Sequence, residues 1–190
     1  TSVSKFGGGS MAFDGTGDWV NAPPTQNLEF GRGDFTFEFW LYPLDSTRRA
    51  IYHGSDGADW SLGIDFQSQK VCVWASSNGS SWNLIHADGG GNGIGTITVS
   101  LNAWTHVAFV RSGTTWQTYI NGVRDLNLTG ISASVVNRST YAKSIGKWYF
   151  TNGVGNPTMW NGYIDDLRIT KGVARYTANF TPPTQAFPTR

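Results

Sequence analysis

Apolar and polar residues alternate along most of this chain, in short runs separated by Gly, Asn, Asp, Ser and Pro. The runs are Ser10–Phe13, Trp19–Asn21, Phe35–Tyr42, Ala50–His53, Trp60–Phe66, Lys70–Ala75, Trp82–Ala87, Thr96–Val99, Trp104–Arg111, Thr115–Asn121, Lys143–Lys147 and Gly162–Thr170. A strand sends successive side chains to opposite faces, and nowhere does an apolar face recur at three-to-four spacing over a dozen residues. The pattern therefore predicts an all-β chain folded as a sandwich or barrel. In the longest run Phe35, Phe37, Phe39 and Leu41 share the core face, and Thr36, Glu38, Trp40 and Tyr42 share the other. The Asn-Gly pairs at Asn78 and Asn121 supply hairpin turns. The glycine-rich run Asp88–Gly95 reads as a mobile surface loop, since it lacks the strand-to-helix context and the Lys-Ser/Thr of a phosphate cradle. After Phe180 the prolines cannot join a ladder, so the end of the chain is expected to be an extended strap or exit linker. One domain over residues 1–187 follows, with 188–190 as a tail.

Composition narrows the partners. With 190 residues the chain can bury one two-layer core, and 9 Trp, 11 Phe, 7 Tyr and 24 Gly suit short strands joined by turns. The 14 basic and 13 acidic residues are scattered and leave a formal charge of +1, which gives no footprint for nucleic acid or an anionic membrane. No apolar run approaches the roughly 20 residues of a membrane helix, so no membrane insertion is expected. Thr1 in first place suggests an excised domain or a mature chain. Cys72 is the only cysteine; it excludes an internal disulfide and reads as a small packed hydrophobe. Four Asn-x-Ser/Thr sequons begin at Asn78, Asn127, Asn137 and Asn179 and would matter only in a eukaryotic secretory host.

Five phrases, taken in order, resemble one family. Met11–Gly15 followed by Asp18-Trp19-Val20 is similar to the "FDG…DYV" opening of laminin-G-like domains in the concanavalin A-like lectin/glucanase superfamily. Phe35–Pro43 resembles that family's "FTxxxWVKP" strand, Trp104–Arg111 its "WHHVAxVR" strand, Tyr119–Val123 its "YVNGV" turn and Gly162–Ile169 its closing "GxIDDVRI" strand. The likeness spans residues 5 to 187, and the tail KGVARYTANFTPP is most similar to copies in phage tail and virion proteins. The resemblance implies a jelly-roll sandwich of two antiparallel sheets, one of them concave, with a role in attachment to glycans. It also implies an extracellular, cell-surface or virion setting. Fold alone does not fix function.

Adjacent carboxylates at Asp165 and Asp166 lie in a strand-like run, where one must face the sheet interior or rim and a bare charge is costly without a cation or donors. From the residues alone the pair is a candidate metal ligand, a strand-start turn, or both. The resemblance implies a structural Ca2+ between the opening strands and the closing-strand Asp, with Asp165, Asp166 and, more weakly, Asp14 as ligands. The alternative has Asp165 capping a turn and Asp166 pairing with Arg168. The loop Ser55–Asp59 could hold a separate ion or be a plain turn.

No catalytic residues are expected. Glycosidases need two converging carboxyls, yet Glu29 and Glu38 are the only glutamates and neither has a carboxylate partner two or four places along a strand. Adjacent Asp165 and Asp166 face opposite ways on a regular strand, and His53, His86 and His106 lack a nucleophile beside them. Sugar binding needs flat aromatic faces rimmed by amides, carboxylates and hydroxyls. Trp40 and Trp104 read as core or core edge, whereas Trp60, Trp74, Trp82, Trp116, Trp148 and Trp160 adjoin turns or polar neighbours. If the Leu62, Ile64, Phe66, Val71 and Val73 face packs inward, then Trp74, Asp65 and His86 look outward on one sheet, with Trp82 and Asn83 flanking them. Trp60 and Trp148 complete the candidate ligand site, and Lys147–Gly153 with Asn156 and Trp160 forms a second aromatic stretch. The sequence thus points to a non-catalytic, lectin-like domain for a neutral oligo- or polysaccharide. The alternatives are a structural or adhesive module of a virion fibre, as a homo-oligomer or part of a larger parent protein, and a glucanase-type hydrolase.

Overall fold

The computed structural model describes residues 3–54, 60–148 and 158–188. Alternation at period two gives each long strand one face for the interior, and two antiparallel sheets close on each other across those faces. The strands are β1 (Met11–Asp14), β2 (Val20–Ala22), β3 (Phe35–Pro43), β4 (Arg49–His53), β5 (Leu62–Gln67), β6 (Lys70–Ala75), β7 (Thr105–Ser112), β8 (Thr115–Ile120), β9 (Val123–Leu128), β10 (Lys143–Ile145), β11 (Lys147–Trp148), β12 (Thr158–Met159) and β13 (Asn161–Lys171). One sheet runs β1-β13-β3-β7-β8-β9, the other β2-β10-β4-β5-β6, and β11 pairs with β12. Phe35, Phe37, Phe39 and Leu41 of β3 meet Ile64, Phe66, Val71 and Val73 of the opposite sheet in one core. Phe35 is its centre, with edge-on ring contacts to Phe37, Phe109 and Trp116, and such pairs add roughly 0.5–1.5 kcal/mol each beyond burial.

Two expected strands are loops. In the segment 82–87 a single bridge joins Ala75 to Ile85, while Ile85 plugs the core. At 96–99 the Thr96 and Ile97 amides donate to the Asp125 carboxylate instead of a strand, and Val99 is again a core plug. An apolar anchor in a polar loop imitates strand alternation. Strand β9 escaped the sequence reading because VRDLNL carries two charges and few strand formers. The glycine run lies against the edge of β6, with Val73 N–H donating to Gly93 and Gly95 N–H to Val71. A Cβ at Gly93 would sit 2.1 Å from the Val73 carbonyl oxygen. Close approach to an otherwise open sheet edge, not mobility, explains glycine there.

The polar face of β3 is buried as well, because both terminal segments lie across it. Lys5 and Phe6 cover Trp40; Tyr176 and Phe180, stacked at 3.6 Å, cover Tyr119, and Phe180 reaches His106. Beneath them Glu38 is sealed, accepting from Arg168 Nε at 2.8 Å and the Tyr176 hydroxyl at 2.7 Å. Burial alone would push this carboxyl up. The approach of His106 at 3.7 Å, the Tyr176 hydroxyl and the Arg168 guanidinium outweigh it, and Glu38 titrates below its ordinary value. Such a group stabilises the fold above its unfolded pKa, and that contribution is lost as pH falls through the folded pKa. Urea denaturation should therefore show this contribution intact from neutral pH down to the ordinary carboxylate value near 4.5 and dropping as pH falls below it, with a smaller drop in Glu38→Gln. An equal drop in the variant would contradict this role.

Candidate functional site

Register places Asn21, Ser144, His53, Gly63 and Trp74 side by side across the outer face of the five-stranded sheet. Gly63 leaves room for its neighbour: a Cβ there would lie 2.8 Å from the His53 ring. The ring reaches over β5 and sets Nε2 3.0 Å from Asp65 Oδ1. A carboxylate only accepts, so Nε2 carries the proton. Asp65 is buried, and its other oxygen accepts from Arg48 Nη2 at 3.4 Å, while Arg48 Nη1 donates to Asp88 at 3.1 Å. Arg48 also lies over the rings of Trp74 and Trp148, 4.9 and 5.6 Å from their centroids. Buried and bound on both oxygens, Asp65 is one half of a charge pair whose disruption typically costs about 3–5 kcal/mol.

Indoles roof this network. Trp148 stacks on His53 at 4.5 Å with planes 4° apart. Trp82 meets His53, Trp74 and Trp148, and Trp60 stacks on Trp82 at 5.3 Å. The structure thus gathers Trp60, Asp65, Trp74, Trp82 and Trp148, but not all as surface. Trp74 is fully buried and Trp148 nearly so, which corrects the expectation that Trp74 looks outward to solvent: the chain after β6 folds back over it. Trp60 and Trp82 are half-buried, and Asn83 and His86 are exposed. Asn83 is spent on its own loop, accepting from Ser77 N–H at 2.9 Å and donating to Ser77 Oγ at 2.8 Å. His86 Nδ1 donates to the Asp88 carbonyl. Trp116 and Trp160 are sealed in the core. Ser55–Asp59 and the stretch 149–157 lie outside the described residues. Sequence reasoning passed over Arg48 and Asp88 and set His53 aside as isolated. The one signal for His53 was Gly63, the small residue opposite it.

Both carboxylates of the acidic pair, expected as metal ligands, accept from backbone amides. A bulge interrupts the β13–β3 register between Asp165 and Arg168, and Asp166 takes a positive φ of 50°, so the two neighbours are not held to opposite faces. Asp165 Oδ2 accepts from the Lys5 and Phe6 amides at 2.7 and 3.1 Å. Asp166 accepts from the Phe187 amide with both oxygens, at 2.9 and 3.0 Å. One carboxylate ties down the N-terminal segment and the other the C-terminal strap. Asp14 binds its own turn through Thr16 N–H and Oγ1. Carboxylate oxygens facing N–H donors are poor ligands for a hard cation, and among the described residues no three His, Cys, Asp or Glu side chains converge. These residues do not fit the calcium site expected of Asp165, Asp166 and Asp14. Cys72 is buried, and burial, with nearby Asp65, pushes its thiol up to about 12, as a packed hydrophobe should behave.

A family model described as the concanavalin A-like lectin/glucanases superfamily, laminin G type, matches residues 14–175. The chain belongs to this family. Domain 4 of an extracellular GH43 arabinanase from Geobacillus stearothermophilus, solved with arabinotriose, is similar at 20% identity and TM-score 0.55, covering 88% of this chain and 78% of that one. Domains LG4-5 of the mouse laminin α1 chain are similar at 12% identity and TM-score 0.60, covering 95% of this chain and 46% of that one. The LG1-3 region of the laminin α2 chain gives 13% identity and TM-score 0.57, covering 87% and 32%. At these identities the likeness concerns the jelly-roll fold. No curated protein sequence matches.

If Asp165 and Asp166 hold chain segments and no ion, a chelator leaves the melting temperature unchanged. Asp165→Ala and Asp166→Ala should each lower it and quicken proteolysis of the N-terminal and C-terminal segment respectively. A large drop on chelation would restore the calcium reading.

Proposed function

We propose that this domain is a non-catalytic carbohydrate-binding module that takes a neutral glycan on the indole roof of the five-stranded sheet. One observation carries the reading: Trp60 and Trp82 form a stacked, half-buried pair fixed from below by the Trp74, His53, Asp65 and Arg48 network. Rings held this firmly lose little freedom on binding, which is the condition for an effective stacking surface. Exposed His86, Asp88 and Asn92 stand beside it to meet hydroxyl groups. Arg48 is matched by Asp65 and Asp88, so its charge is already met within the protein, in keeping with an uncharged sugar rather than a sulfated or acidic one.

The distribution of carboxylates supports the absence of catalysis. Asp65 is committed to Arg48 and His53, Glu38 to Arg168 and Tyr176, and Glu29 to Lys143 at 2.7 Å. Each is bound to a cationic or donor partner, and none of the three is paired with a second carboxyl in the way acid catalysis of glycoside cleavage requires. The arabinanase domain crystallised with arabinotriose makes arabino-oligosaccharides the first ligands to try, and the setting in keeping with that extracellular enzyme and the laminins is extracellular.

Calorimetric titration with arabino-, xylo-, cello- and malto-oligosaccharides tests the proposal. Trp82→Ala and Trp60→Ala should each weaken binding at least about tenfold, or about 1.4 kcal/mol, with little change in melting temperature. Trp74→Ala should instead destabilise the fold by about 3–5 kcal/mol, as loss of a buried indole does. Undiminished affinity in both roof variants would remove this site, and release of reducing sugar would remove the non-catalytic reading.

A further inference from the structure

The outer face of the six-stranded sheet is built of cross-strand rows, and three of the four that cross β3 are roofed. Asp165, Trp40 and His106 form a row that lies under Lys5, Phe6 and Phe180. Arg168, Glu38 and Ala108 form the next, and Tyr176 bonds to its centre. Thr170, Thr36 and Val110 form the third, and Thr36 is bonded by the strap at Val173 and Arg175.

The fourth is Ala12, Tyr163, Tyr42 and Trp104, where Ala12 of β1 pairs with Tyr163. Tyr163 pairs with Tyr42, and Trp104 precedes Thr105, the partner of Leu41. The rings run in series, Tyr163 to Tyr42 at 5.6 Å and Tyr42 to Trp104 at 5.3 Å. All three are half-buried, and their ring contacts among the described residues are with one another. Of the four outward rows that cross β3, the one carrying three aromatic rings is the one left partly open. Beside Tyr163 opens a cavity of about 310 Å³, lined also by Asp14, Asp18, Asn161 and Leu44.

We infer that this row is a second saccharide-binding surface, on the sheet opposite the indole roof and independent of it. The polar groups select the occupant. Asp14 and Asp18 can only accept, and Asn161 spends one of its two amide N–H groups on Asp45 at 2.7 Å, so this end of the row is richer in acceptors than in donors. A partner must bring hydrogen-bond donors at one end and apolar ring faces along the row, which is the chemistry of a sugar chain: hydroxyls around a ring and C–H faces above and below it. A proline-rich peptide would use the rings but has few donors for the carboxylates. The steep inclination of Tyr42 to both neighbours, 77° and 61°, makes the row a stepped surface, suited to a chain that turns between residues.

The test is an NMR titration of the intact domain, following the Trp104 indole and the Tyr42 and Tyr163 ring signals. Probes are arabino-, xylo-, cello- and malto-oligosaccharides, and separately a proline-rich peptide. At least one sugar should shift all three rings, and Tyr163→Ala and Tyr42→Ala should each weaken that binding about tenfold or more without loss of fold, while Tyr163→Phe retains it. Shifts by the peptide alone, shifts by no probe, or full affinity in both alanine variants would overturn the inference. Trp82→Ala separates it from the roof: loss only with the tyrosine variants keeps this surface and removes the roof reading, and loss only with Trp82→Ala does the reverse.

Discussion

Charge burial under an aromatic cover is the constraint on which this sandwich depends. A two-sheet β-protein needs only its inner faces apolar, yet here the outer faces are largely closed too. Polar residues of β3 and β5 therefore sit at zero exposure, Glu38 and Asp65 among them. A buried ion without partners would be costly, so each sealed carboxylate has a cation and a second donor, and the groups that bring those donors fix the loops and terminal segments. The Arg48, Asp65 and His53 set holds the indole roof. Glu38 and the Asp165–Asp166 pair hold the two ends of the chain.

This arrangement links fold to function through rigidity. Trp60 and Trp82 come from the segments flanking β5 and β6, and a loop indole would ordinarily move. Here Trp82 touches Trp74, His53 and Trp148 at once, so its position is set by a network anchored in the sheet. The buried tryptophans and the half-buried pair proposed to meet a sugar belong to one stack, the lower members sealed and the upper ones facing water.

Strand periodicity made the fold legible, and the five phrases made the family legible, because both are written in local residue order. The inward faces of β3, β5 and β6 were readable from alternation alone. The site was legible in part of its membership and not in depth. Asp65, Trp74 and Trp82 come together as the faces implied, and Trp60 and Trp148 join them through ring contacts that no strand face announces, yet whether an outward residue reaches solvent depends on what folds over it, and nothing local to β6 announces that the chain from Ser76 onward returns across it. Asp165 and Asp166 show the same limit. Two adjacent acids looked like ligands, but a bulge and a positive φ turned them toward the amides of Phe6 and Phe187, residues far away in sequence. Arg48 was missed because its partners Asp65 and Asp88 are joined to it only by tertiary packing.

Indole N–H exchange read by NMR during titration with an oligosaccharide tests the layered stack most directly. The account predicts slow exchange and no direct ligand contact for Trp74, Trp116 and Trp160, with faster exchange and ligand-dependent shifts for Trp60 and Trp82. Rapid exchange of Trp74, or a ligand that contacts it in preference to Trp82, would contradict the account.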